Sequence, residues 1–180
     1  MKAVGNNDNT VFFTEHTPFE SFRASLFLTE ANNVRHTADD VLVRYDNNYS
    51  AAVDYDDAEE ITNWNENIAI SRGGTRLALE SRPVITDKDT IQLHIKNMRK
   101  TNYDFEFTPS LFSNTNLMAE LIDNYLHTRT TLSVVNTVTV PFTVNNDAAS
   151  FATDRFMIVF SKPSGPLPID ISSIKAYEKN

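Results

Sequence analysis

Apolar and polar residues alternate with a period of two along most of the chain, which is the pattern of strands with one buried and one solvent-facing side. The alternation is clearest in four segments, residues 22–28, 91–95, 103–107 and 138–144. Each is predicted to be a strand. Pro141 lies in the last of them and predicts an edge position or a bulge there, because proline has no N–H to donate to a second neighbouring strand.

Two further runs, DVLVRY (40–45) and RFMIVFS (155–161), are apolar at consecutive positions and predict central strands covered on both faces. Two alternating apolar segments flank Gly73-Gly74, which favours a hairpin with a two-residue turn. Many strands separated by short polar turns predict an all-β fold, an antiparallel β-sandwich of jelly-roll type.

Segments 117–127 and 56–61 depart from this pattern. In NLMAELIDNYLHT, apolar residues recur at a spacing of four, so residues 117–127 fit an amphipathic helix slightly better than a strand. Asp56 has the residue type of a helix N-cap, with acidic residues after it, so one short helical turn is predicted at 56–61.

The composition restricts the class of protein. A chain of 180 residues is long enough for one domain with an ordinary core. It has no cysteine, which excludes disulfides, thiolate metal sites and a cysteine nucleophile. It shows no basic stripe, which argues against nucleic acid as a partner. No apolar run approaches the ~20 residues of a membrane-spanning helix.

The net charge of −8 is concentrated in one stretch, residues 45–71. Seven of the 24 acidic residues lie there without a single lysine or arginine, and the remaining 17 nearly balance the 16 basic residues. The acidity is therefore a local feature that needs a local explanation.

Calcium binding is one explanation for the acidic stretch. Asp54, Asp56 and Asp57 are the candidate ligands, since calcium prefers carboxylate oxygens. The spacing does not fit the EF-hand, because neither register places a glycine at position six and a glutamate at position twelve of the loop. A different calcium site on a loop stays open, beside helix capping by Asp56, Asp57 and Glu59. Otherwise the residues indicate no cofactor.

Sugar binding is a second explanation. The candidate residues combine flat aromatic rings with amides, the groups that stack on sugar C–H faces and bind hydroxyls. They are Tyr49, Tyr55, Trp64, Asn63 and Asn65. The alternative for Trp64, the only tryptophan, is a core anchor beneath a long loop.

The sequence contains no recognisable catalytic arrangement. Asp56/Asp57 and Glu59/Glu60 are adjacent pairs whose side chains diverge, unlike the facing carboxylates of a glycosidase. The four histidines are isolated, and no nucleophile elbow or phosphate-binding glycine loop is present. We therefore predict that the protein is not an enzyme.

The C-terminal third carries a resemblance to a known family. The run AELIDNYLHTRTTLSVVNTVTVPFTVNNDAASFATDRFMIVFSKP resembles the closing part of β-sandwich modules in large proteins exported by the type IX secretion system of Bacteroidota. The matching features are Leu121 with Asp123, the threonine-rich turn after them, the Val140–Val144 strand, and Asp154-Arg155-Phe156 before an apolar strand. VLVRYDNNYS and ENIAISRGGTRLALESRP are similar as well.

The resemblance implies a domain organisation and a cellular context. It implies a sandwich domain over residues 1–165, a strand within 117–127, and a linker with the start of the next module at 166–180. Such modules stand upstream of a C-terminal sorting domain, so the chain is expected to be part of a longer protein at the cell surface or secreted. Its partners would be neighbouring modules.

The resemblance supplies no catalytic residues and implies a non-catalytic module that serves adhesion, display or assembly. The alternative is a carbohydrate-binding module of an exported polysaccharide-degrading enzyme, with a glycan or another surface ligand as partner. Exposure of Trp64 and the nearby tyrosines is the feature that would favour the second function over the first.

Overall fold

The computed structural model describes residues 19–30 and 34–163, and it confirms the predicted all-β sandwich. Period-two alternation puts every second side chain of a strand on the same face, and those faces meet in the core. The strands are β1 (Glu20–Thr29), β2 (Arg35–Tyr45), β3 (Ala58–Glu59), β4 (Asn67–Arg72), β5 (Thr75–Arg82), β6 (Lys88–Lys96), β7 (Asn102–Ser110), β8 (Met118–Asp123), β9 (Thr128–Leu132), β10 (Val138–Thr143) and β11 (Phe156–Ser161).

The strands form one sheet that folds over on itself and nearly closes. Its order is β10-β7-β1-β2-β5-β4-β6-β11-β8-β9, and β3 pairs with β5 beside this path. All neighbours are antiparallel except β2 and β5, which run parallel with Leu42 opposite Leu79. β5 pairs with β4 near its start and with β2 near its end, so it links the two halves of the sandwich.

The core lies between the two halves and is rich in phenylalanine. Phe22 on β1 meets Phe160 on β11 edge to face, with ring centroids 5.2 Å apart. Phe105 on β7 meets Phe156 on β11 in the same way at 5.0 Å. β11 is hydrogen-bonded to neither β1 nor β7. These contacts between strands that are not paired show that the two halves of the sheet pack face to face.

Several local predictions are confirmed. Gly73 and Gly74 form the β4–β5 turn with φ angles of 56° and 92°, which side chains with a Cβ rarely adopt. Pro141 lies on β10, an edge strand that pairs only with β7. Segment 117–127 contains strand β8, as the family resemblance implies, and not a helix.

Two local predictions need correction. The short helical turn is a 3-10 turn at Ala148–Phe151, capped by the side chain of Asp147, and not at 56–61. At 56–61 the chain forms β3 instead, because β5 offers it a neighbouring edge to pair with. β2 and β11 are central strands by pairing, but their outward-facing side chains are only half-buried.

No helix among the described residues has the length and apolar character to cross a membrane. The predicted boundary at residue 165 and the segment 166–180 lie outside the described residues.

Candidate binding site

Trp64 lies on a short loop between β3 and β4, residues 60–66, which we call the Trp64 loop. Its side chain is 100% exposed. The interpretation of Trp64 as a core anchor is therefore wrong. A large aromatic ring held wholly in water is unusual on a monomeric surface, where burial of such a ring is favoured. The ring is consequently a candidate for contact with a ligand.

The Trp64 loop is held at both of its ends. At its start, Glu60 donates its backbone N–H to the carbonyl of Arg76 on β5, at 2.9 Å. At its end, Asn67 begins β4 and is only 3% exposed. The exposed indole is thus carried on a backbone fixed to two strands of the sheet.

The Asn67 side chain forms hydrogen bonds with the backbone on either side of Trp64. Its amide nitrogen donates to the carbonyl oxygens of Asn63 and Asn65, and its Oδ1 accepts the N–H of Asn63 at 2.8 Å. The side chain of Asn63 in turn accepts the N–H of Asn65 at 2.8 Å. Asn67 was not predicted from the sequence. The available signal was an amide residue at the point where a polar loop enters an apolar strand.

Glu66 anchors the same loop to β7. Its carboxylate is 1% exposed and accepts hydrogen bonds from Arg99 and from the hydroxyl of Tyr103, the latter at 2.8 Å. Burial acts to raise the pKa of Glu66, but the hydrogen bonds from Arg99 and Tyr103 outweigh it and hold the pKa below its ordinary value. The carboxylate of Glu66 is therefore ionised, and its role is to hold the loop against Arg99 and Tyr103.

Glu60, the first residue of the Trp64 loop, lies close enough to Asp39 on β2 to feel its negative charge. Burial raises the pKa of Asp39, although its carboxylate accepts the N–H groups of Ile68 and Asp40, both at 2.9 Å. Burial and the negative charge of Asp39 together raise the pKa of Glu60. This pair works against folding when both groups are ionised.

Two further apolar side chains of the acidic stretch are exposed. Tyr55 is 92% exposed and Ile61, within the Trp64 loop, is 89% exposed. Ile61 was missed in the sequence, where its signal is a lone aliphatic residue among polar neighbours. Tyr49, by contrast, is half-buried with its ring 4.8 Å from the guanidinium of Arg44. Of the predicted aromatic residues, Tyr55 and Trp64 are exposed and Tyr49 is packed.

Of the three predicted calcium ligands, Asp54 and Asp57 bind backbone N–H groups and Asp56 faces an arginine. Asp57 accepts the N–H of Ser81 on one oxygen at 2.7 Å and that of Asp54 on the other at 2.8 Å. Asp54 accepts the N–H of Asp56 at 2.9 Å, and Asp56 faces Arg44 at 3.9 Å. The predicted role of Asp56 as a helix cap is wrong, since β3 follows it. Within residues 19–30 and 34–163, no three acidic or histidine side chains converge as metal ligands would.

No protein-family model, no curated protein and no solved structure matches the chain.

Proposed function

We propose that the chain is a non-catalytic binding module of a larger secreted or cell-surface protein, and that the Trp64 loop with Tyr55 is its contact surface. The observation that carries this proposal is the fully exposed Trp64 on a loop whose backbone is fixed by hydrogen bonds to the Asn67 side chain. The context of export is supported by the resemblance of the sequence to modules of exported surface proteins. The module contributes to adhesion or assembly by contact and not by chemistry.

The Trp64 loop has the properties of a recognition element. Trp and Tyr dominate the energetics of binding interfaces, because they bury a large area and lose little conformational entropy. The Asn67 side chain fixes the backbone around Trp64 before any ligand arrives, which lowers the entropy lost on binding. The ring of Tyr55 and the aliphatic side chain of Ile61 add apolar area that water solvates poorly.

A cavity of about 510 Å³ beside the start of β7 gives little support to a hydrolase. In the described part of the chain it is lined by a single carboxylate, that of Asp104. Arg35 holds this carboxylate at 3.2 Å and the hydroxyl of Thr29 donates to it at 2.8 Å. A glycosidase needs two facing carboxylates, one of which donates a proton. We therefore propose a non-catalytic module.

Carbohydrate binding is the second candidate function, favoured by the surroundings of Trp64. Both flanking residues, Asn63 and Asn65, carry amides, which bind hydroxyl groups, and the exposed indole offers a flat apolar surface. A sugar ring stacked on Trp64 would find hydrogen-bonding partners on each side of it.

The test removes Trp64, the only tryptophan of the chain and the exposed ring of this loop. Binding to cellulose, chitin and xylan, and to a sugar-free hydrophobic surface, is measured for the wild type, Trp64→Ala and Val135→Ala. Val135 is the control because it is exposed on a different loop. We expect Trp64→Ala to abolish binding and Val135→Ala to retain it. Loss on the polysaccharides alone favours the carbohydrate function, whereas equal binding by all three proteins would refute the proposed surface.

A further inference from the structure

A cleft of about 510 Å³ opens beside the start of β7 and the end of β10. Its volume falls in the range of small-molecule sites. Tyr103 lines the cleft, and its hydroxyl donates a hydrogen bond to Glu66, the last residue of the Trp64 loop. The cleft itself contains no residue of that loop.

The aromatic side chains of the cleft pack against the guanidinium of a buried arginine. Arg155 is 1% exposed and its guanidinium lies 4.9 Å from the centre of the Tyr125 ring and 5.3 Å from that of Phe142. Tyr125 is held in place at its other end, where its hydroxyl accepts a hydrogen bond from Asn145 at 3.2 Å. Leu126 forms an exposed rim. A rigid aromatic and aliphatic wall of this kind suits the C–H face of a ring.

The two charged side chains that line the cleft are each paired. Arg155 pairs with Asp123, at 2.7 Å, and Asp104 pairs at 3.2 Å with Arg35, which it shares with Glu106. The lining of the cleft therefore presents no unpaired charge, and a neutral ligand suits it best.

The polar part of the cleft offers both donors and acceptors. The side-chain oxygen of Asn102 accepts the hydroxyl hydrogen of Thr143 at 2.8 Å. Its amide N–H groups have no partner among the described contacts and can donate to a ligand. Asn145 uses one amide hydrogen on Tyr125 and keeps a second. In Asp104, the contacts with Thr29 and Arg35 engage Oδ2, so Oδ1 remains as an acceptor among the described contacts.

We propose that this cleft binds one pyranose unit of a neutral saccharide. The ring would stack on the wall formed by Tyr125 and Leu126, and its hydroxyls would bond Asn102, Asn145 and Asp104. The same chemistry suits a free monosaccharide or a unit within a longer glycan. This site is separate from the Trp64 loop and goes beyond the proposed function. The test of that function does not depend on the cleft.

The experiment titrates ¹⁵N-labelled protein with methyl glycosides of glucose, galactose, mannose and N-acetylglucosamine, and with their short oligomers. We expect at least one glycoside to shift the side-chain amide signals of Asn102 and Asn145. Asn102→Ala should weaken binding about tenfold, the equivalent of one hydrogen bond. Asn136→Ala, an exposed asparagine of the β9–β10 turn, is the control and should bind as the wild type does.

Oligomers that bind more tightly than the methyl glycosides would identify a unit within a glycan, and equal affinities would identify a free sugar; either supports the site. Failure of every sugar to shift these signals would overturn the proposal, as would equal binding by Asn102→Ala and the wild type. Shifts confined to Trp64 and its neighbours would also overturn it, while supporting carbohydrate binding at the Trp64 loop. Trp64→Ala separates the two sites, since it should leave binding in the cleft unchanged.

Discussion

Arg155 and Asp123 form a two-pronged ion pair inside the sandwich. Arg155 donates from Nε to Oδ1 of Asp123 at 3.0 Å and from Nη2 to Oδ2 at 2.7 Å, and both side chains are buried. The pair joins the residue before β11 to the last residue of β8. Two parallel hydrogen bonds fix the guanidinium in one plane, which a lysine at the same position would not do.

The pair connects two short sequence motifs that lie far apart in the chain. Asp123 comes from the Leu-x-Asp segment and Arg155 from the Asp-Arg-Phe segment, the two charged features of the family resemblance. Arg155 also donates to the carbonyl oxygens of Thr143, at 3.0 Å, and Ser150, at 2.6 Å. The motif residues therefore hold together the ends of β8, β10 and β11, and their role is structural.

Arg155→Met should lower the free energy of unfolding by about 3–5 kcal/mol, because it leaves the carboxylate of Asp123 buried without its counter-ion. Asp123→Asn should cost a comparable amount for the converse reason. The double variant Asp123→Asn/Arg155→Met should lose less than the sum of the two single losses. Chemical denaturation measures all three variants.

The control for this prediction is the surface pair Arg129–Glu120, 2.7 Å apart across the β8–β9 hairpin. Glu120→Gln should cost no more than about 1 kcal/mol, since water solvates exposed charges and screens their attraction. An equally small loss for Arg155→Met would show that the buried pair does not hold the sandwich together.

Trp64→Ala should leave the free energy of unfolding within about 0.5 kcal/mol of the wild type, because the indole is fully exposed. The fluorescence of the folded protein should match that of tryptophan in water and be quenched readily by acrylamide. A loss of about 3–5 kcal/mol, the usual cost of truncating a buried Trp, would place Trp64 in the core instead.

Glu60→Gln should stabilise the protein at neutral pH. The folded-state pKa of Glu60 is raised by burial and by Asp39. Its contribution to stability is therefore present below the ordinary pKa of glutamate and is lost as the pH rises through the raised value. The glutamine variant avoids this loss.

We expect equal stabilities below about pH 4, where the carboxyl is protonated in both states, and a higher stability of Glu60→Gln at pH 7. Thermal melts over this pH range measure the difference. Glu59→Gln, which removes the carboxylate of an exposed neighbour, is the matched control. A gain that is the same at every pH would point to packing and not to charge.

The sequence was a good guide to the strands and a poor one to the acidic stretch. Alternation identifies Phe105 and Phe107 as core residues, because in a strand the backbone alone decides which side chains share a face. No such rule applies to Trp64. Its position depends on the hydrogen bonds of the Asn67 side chain to the loop backbone and on the pairing of β3 with the distant strand β5. Hydrophobicity alone favours burial and therefore predicts the wrong place for it.

The same reasoning explains the wrong helix cap. Asp56 and the acidic residues after it fit the first turn of a helix, but β5 offers a partner strand whose N–H and C=O groups satisfy the backbone equally well. Asp57 then caps Ser81 of β5 instead of a helical turn. Local propensity identified the residue types that bind backbone N–H groups, whereas the tertiary structure decided which N–H groups they bind.

Added calcium should stabilise the protein no more than magnesium does. Asp57 and Asp54 are oriented by the backbone N–H groups that they accept, and among the described residues no three acidic or histidine side chains converge as an ion would require. Either ion should then act by screening the mutual repulsion of the acidic residues. Thermal melts in millimolar calcium, millimolar magnesium and a chelator compare the three conditions.

A specific calcium site would behave differently, because binding to the folded state adds about 2.7 kcal/mol at a hundredfold excess over the dissociation constant. Magnesium would not reproduce that gain, since it demands a tighter octahedral shell and gives up water reluctantly. A rise in melting temperature with calcium alone, abolished by Asp54→Asn, would therefore contradict the prediction. Asp87→Asn is the matched control, because Asp87 is an exposed aspartate outside the acidic stretch, and its loss should change none of the three melts appreciably.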